Sequence, residues 1–147
     1  MSDTQETEMG PIDFILVEWP GRQPTGEAIP HLIDLVERGL IRVLDLAFVA
    51  KEEDGSVTRI EFAEVAERVA EFSYFHGAAS GLVGEDDLVE AAAALEPGTA
   101  AALLIFENAW AGPFAGAVRR SGGQLVASGR IPVQDLLDTL DAVEANA

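Results

Sequence analysis

The chain contains no cysteine. Disulfides, thiolate-held zinc, iron–sulfur clusters and thiol catalysis are thereby excluded. Lysine is almost absent, with Lys51 standing alone among the 9 basic residues, against 26 acidic ones. The net charge of −17 repels phosphate. No nucleic-acid partner is therefore expected, and docking on anionic lipid is disfavoured. No apolar run approaches the roughly 20 residues that span a bilayer. Residues 1–9 are polar and acidic, whereas a signal peptide needs a basic start and an apolar middle. A cytoplasmic location is expected.

What is present suits a folded body. Of 147 residues, 48% are hydrophobic, enough for one domain around one core. Residues 1–9 are expected to be a disordered acidic tail and 10–147 a single domain. After Gly10 and Pro11, residues 12–18 are apolar on alternate and intervening positions alike, which predicts a strand buried on both faces. Residues 25–40 carry Ala28, Leu32, Leu35 and Val36 at helical spacing. Pro30 is tolerated near the first turn, and Gly39 suits the end. Residues 42–50 predict a second two-faced strand. An Asp54-Gly55 turn then predicts a hairpin back into residues 57–61. Helices are expected over 62–75 and 85–95, separated by the glycine-rich stretch 77–84. Residues 100–107 are almost continuously apolar, hence a central strand. A helix over 109–121 and a short strand over 124–128 follow. Pro132 opens a last helix with Val133, Leu136, Leu137, Leu140 and Val143 along one face.

Without the hairpin strand and the middle helices, two β-α-β units remain. Together they predict an α+β fold: a ferredoxin-like sandwich of two split β-α-β units on an antiparallel sheet, with an added hairpin strand and extra helices. Strands 12–18 and 100–107 are expected side by side in the middle of the sheet.

The stretches GPIDFILVEWPG (residues 10–21), RGLIRVLDLAFVAKEEDGSV (38–57) and LEPGTAAALLIFENAWAGPFAGAVRRSGGQLVASGRIP (95–132) resemble a family of short actinobacterial proteins, a domain of unknown function. The resemblance covers nearly the whole chain after the tail. More distantly the chain is similar to a broader bacterial group for which membrane association has been suggested. In that group a hydrophobic hairpin follows the Asp-Gly strand. Only residues 77–84 stand in its place here, too few to enter a bilayer. The resemblance implies no catalytic residue.

The motifs of chemistry are sparse. No GxxxxGK[ST] or GxGxxG phosphate loop occurs. His31 and His76 are the two imidazoles. His31 is expected on the exposed side of its helix, and His76 at a helix end beside packed aromatics. Glu85, Asp86 and Asp87 are adjacent, but successive helical residues point about 100° apart, so they do not converge on an ion. No metal or cofactor is expected. Glu18 and Glu107 lie at the ends of two strands expected to be neighbours, and paired carboxylates are what general acid–base chemistry uses. The plainer alternative is that each is held by backbone N–H groups or by an arginine such as Arg22. Trp19 and Trp110 follow these strand ends. The four residues are thus a candidate ligand cleft or, since tryptophan anchors interfaces, a subunit contact.

Strands buried on both faces need two covering layers. The final stripe, Val133 to Val143, is therefore a candidate oligomer interface. The expected function is that of a non-catalytic, self-associating module, a homo-oligomer with an assembly or regulatory role. The alternative is a small-molecule-binding or enzymatic domain using the Glu18, Trp19, Glu107 and Trp110 cleft.

Overall fold

The computed structural model describes residues 9–20 and 26–145. It divides into two compact units, residues 1–117 and 118–147. Contacts concentrate within each unit.

The first unit is a mixed α+β structure. Strand β1 (Ile12–Pro20) leads to helix α1 (Ile29–Glu37), which opens with Pro30 in its first turn. Strands β2 (Arg42–Lys51) and β3 (Val57–Ile60) form the expected hairpin. At its turn Asp54 accepts both the N–H and the hydroxyl of Ser56, at 2.8 and 2.6 Å. Those hydrogen bonds hold its carboxyl below the ordinary value of 3.8. Helix α2 (Phe62–Arg68) stops early. Val69 is extended and buried in the core, and a tighter 3-10 segment continues from Ala70 to Ala78. One helix over 62–75 is thus replaced by two pieces, because packing Val69 inward takes precedence over helical continuity. Helix α3 (Glu85–Ala92) and strand β4 (Thr99–Glu107) follow. Helix α4 spans Gly112–Arg120.

The four strands form one antiparallel sheet in the order β1-β4-β2-β3. Strands β1 and β2 both run opposite to β4, so they are parallel to each other, with α1 between them in sequence. That is one split β-α-β unit. Strands 12–18 and 100–107 are neighbours as expected, but among the described residues β1 lies at the edge rather than in the middle. The strand expected at 124–128 is not formed, so the second split unit is not present among the described residues. A strand exists only where a ladder takes up its N–H and C=O groups. Five residues of moderate β-propensity do not form one unaided.

The sheet is apolar on both faces. On one, Leu46, Phe48, Ala102 and Leu104 pack with Ile29, Val65, Val69, Phe72 and Phe75. Phe48 meets Phe72 edge to face at 5.1 Å. On the other, Ala47, Val49, Ala101 and Leu103 pack under Val83, Leu88, Ala92 and Leu95. Alternation along β2 is broken at Leu44, where a bulge separates Val43 from Asp45 in the register. Val43 therefore packs with the Leu46 and Phe48 face rather than, as strict alternation predicts, with Ala47 and Val49.

In the second unit, helix α5 (Val133–Ala145) has no buried residue. Its stripe of Val133, Leu136, Leu137, Leu140 and Val143 is exposed.

Candidate functional site

The antiparallel register separates the four candidate cleft residues into two pairs. Ile12 lies opposite Glu107 and Glu18 opposite Ala101. In an antiparallel pair the two C-terminal ends point to opposite ends of the sheet. Six residues of strand set Glu18 and Glu107 about 20 Å apart. Trp19 stays with Glu18, and Trp110 follows Glu107 beyond the end of β4. The cleft expected around all four is therefore not assembled.

Each carboxylate has a local use. Glu18 accepts the backbone N–H of Glu96 at 2.9 Å and lies 3.4 Å from the hydroxyl of Thr99. Glu107 is buried and accepts the Gly10 N–H at 2.8 Å and Arg42 Nε at 2.9 Å. Gly10 is needed at that spot, since a Cβ there would overlap the Asn108 carbonyl. This is the plainer alternative for both acids, with Arg42 as the arginine. Arg22 lies outside the described residues. Trp19 is half-buried, whereas Trp110 is exposed and donates its backbone N–H to the Leu40 carbonyl at 3.1 Å.

Asp45 shows the same economy. It is fully buried. Its carboxylate accepts the N–H groups of Leu46, Ser80 and Val83 at 2.9, 3.0 and 2.8 Å. The Ser80 hydroxyl donates to the Leu44 carbonyl at 2.7 Å. The bulge aims Asp45 at the glycine-rich loop, and the loop is pinned across the sheet in return. An acid inside an apolar strand is the one sign of this in the sequence.

His31 and His76 are both exposed. His76 stands edge-on to Phe62 with centroids 6.3 Å apart, and the neighbouring Ser73 hydroxyl donates to the Ala70 carbonyl at 2.6 Å. Among the described residues, no group of three or more His, Asp or Glu side chains is placed to hold a metal ion.

Two large grooves among the described residues of the first unit lie along β1. On one face a groove of about 580 Å³ runs under α1, between Ile15, Val17 and Trp19 of β1 and Leu32 and Leu35 of α1. Its floor is apolar, and Glu27 and His31 contribute polar groups. On the other face a groove of about 490 Å³ lies between Phe14 and Leu16 of β1 and the Leu82–Ala94 region above Leu103 and Ile105. Phe14 is 70% exposed and Leu82 61%. Two-faced apolarity was legible in the sequence. That β1 would be the strand left half-covered was not, because strand order is not a property of any one segment.

A model described as a family of unknown function, DUF6325, matches residues 8–146. No curated protein and no solved structure matches the chain. Among the described residues, no helix is long and apolar enough to cross a membrane.

Proposed function

The chain belongs to the DUF6325 family of unknown function, and we propose that it is a non-catalytic module that self-associates and serves an assembly or regulatory role. One observation carries this reading: the sheet is apolar on both faces, and the helices of the first unit leave both faces open along β1. Apolar surface of this kind gains free energy when a partner removes it from water. The use of Glu18, Asp45 and Glu107 as backbone anchors points the same way, since it commits to structure the carboxylates that acid–base work would use. The exposed stripe of α5 is a further apolar surface for the assembly.

Sedimentation at tens of micromolar and moderate salt tests the reading. The wild type is expected to run as a dimer or a larger closed oligomer, and a monomer would defeat it. Leu137→Asp combined with Leu140→Asp is expected to weaken association at least about tenfold, or about 1.4 kcal/mol, if α5 takes part. An unchanged oligomer would remove α5 from the contact.

The groove under α1 favours a second reading, a small-molecule-binding domain. Its volume of about 580 Å³ falls in the range of ligand sites, and its apolar lining with a few polar groups suits one. A native mass spectrum of the purified protein separates the two, showing either doubled mass or a monomer with retained ligand.

A further inference from the structure

We infer that β1 pairs with β1 of a second copy, antiparallel and across a twofold axis perpendicular to the sheet, so that two four-stranded sheets become one of eight strands. The inference rests on the self-association proposed above and names its surface.

The two edges of the sheet are unlike. The β3 edge is short, Val57–Ile60, and includes Thr58 and Arg59. Short, charged strands are how proteins guard an edge against pairing. The β1 edge runs from Ile12 to Pro20 and, among the described residues, has a neighbouring strand on one side only. Its charged residues are Asp13 and Glu18, while Ile12, Phe14 and Val17 are 51%, 70% and 39% exposed. A long edge that is apolar over Phe14–Val17, between its two acids, is a template for another strand.

Both open grooves have β1 as one wall, on opposite faces. A single strand added at this edge therefore extends both floors at once. To do so it must be apolar on both of its own faces. β1 is such a strand, and a twofold axis brings the same face of each copy to the same side of the joined sheet.

The pairing also restricts its register. Directly opposite residues in an antiparallel pair share a face, so the axis passes through a residue, not between two. Centred on Ile15, it sets Phe14 against Leu16 and Asp13 against Val17. Centred on Leu16, it sets Ile15 against Val17 and Asp13 against Trp19. In neither does a carboxylate face a carboxylate. The excluded register, centred between Ile15 and Leu16, is the one that would set Asp13 against Glu18.

The absence of cysteine makes the test clean. Opposed residues in an antiparallel pair have Cα atoms about 4.5 or 5.5 Å apart, both within disulfide reach. Ile15→Cys and Leu16→Cys are made singly, with Thr58→Cys on the β3 edge as control, under mild oxidation. A disulfide-linked dimer at position 15 or 16, and none at 58, is expected. Hydrogen exchange of the wild type supplies a second readout that needs no variant: β1 amides should gain protection as protein concentration rises through the dimerisation range. If the wild type sediments as a dimer but neither variant links and β1 protection does not depend on concentration, the pairing is overturned while self-association stands. A double variant, Ile15→Cys with Val126→Cys, checks a competing occupant. If position 15 links to position 126 and not to its own copy, another segment of the chain occupies the edge, and the proposal fails. A wild-type monomer removes both this inference and the reading beneath it.

Discussion

Asp45 takes three hydrogen bonds from backbone N–H groups, and two of them come from the loop that crosses above the sheet, at Ser80 and Val83. Asp45→Ala would leave those donors without an acceptor, at about 1–3 kcal/mol for each of the two buried ones, Leu46 and Val83. The expected outcome is a loss of about 2–4 kcal/mol in urea denaturation, with the 79–84 loop showing the largest rise in hydrogen exchange. Asp45→Asn keeps one acceptor oxygen and should cost less. A loss under about 0.5 kcal/mol for the alanine variant, the range of an ordinary surface change, would remove Asp45 as an anchor. At this scale the sequence was partly legible. An acid within an apolar strand announces a partner. It does not announce that the partner is backbone 35 residues away, because the bulge at Leu44 that aims the side chain leaves no local signal. Glu18 and Glu107 illustrate the complementary error: the end of each strand was readable, but not that antiparallel neighbours place their C-terminal ends at opposite ends of the sheet.

Helix α3 is held at its C-terminal end by a cation from another element. Lys51 Nζ, at the end of β2, donates to the Ala92 and Leu95 carbonyls at 3.1 Å each. A positive charge there is also favoured by the helix dipole. At the other end Asp87 accepts the Gly84 N–H at 3.0 Å. The helix covers Val49, Ala101 and Leu103 on the second face, so its capping bears on half of the core. Lys51→Met preserves the apolar stem and removes the donors. It is expected to cost about 1–2 kcal/mol, read as a lower urea midpoint, with Lys51→Arg recovering part of it. Equal stability of the methionine variant and the wild type would show the contact to be dispensable. Elements with a strong period were legible: β1, β2, β4, α1 and α3 stand where apolar spacing places them. Elements that depend on distant packing were not. Val69 breaks a helix that its local sequence would continue, and residues 124–128 find no ladder although their propensity allows one.

Charge decides how the whole molecule should behave on association. Each chain carries −17, so bringing two together opposes the apolar contact at long range. The contact region makes this worse locally: β1 contributes Asp13 and Glu18 and no basic residue between Ile12 and Pro20. Salt acts on this repulsion and leaves the apolar term nearly untouched, since the screening length falls from about 30 Å at 0.01 M to about 10 Å at 0.1 M. Dimerisation should therefore tighten as salt is added, by about tenfold between about 0.01 and 0.15 M. It should flatten beyond that, once the range of the repulsion is shorter than the separation of the two charged bodies. Sedimentation equilibrium across that range measures it. A dimer joined by arginine–carboxylate pairs would behave in the opposite sense and loosen with salt. Weakening would thus place the contact away from β1, at a surface where Arg119, Arg130 or another arginine meets an acid. Tightening, together with a link at position 15 or 16, would identify the contact as an apolar strand edge held against the repulsion of the chains that carry it.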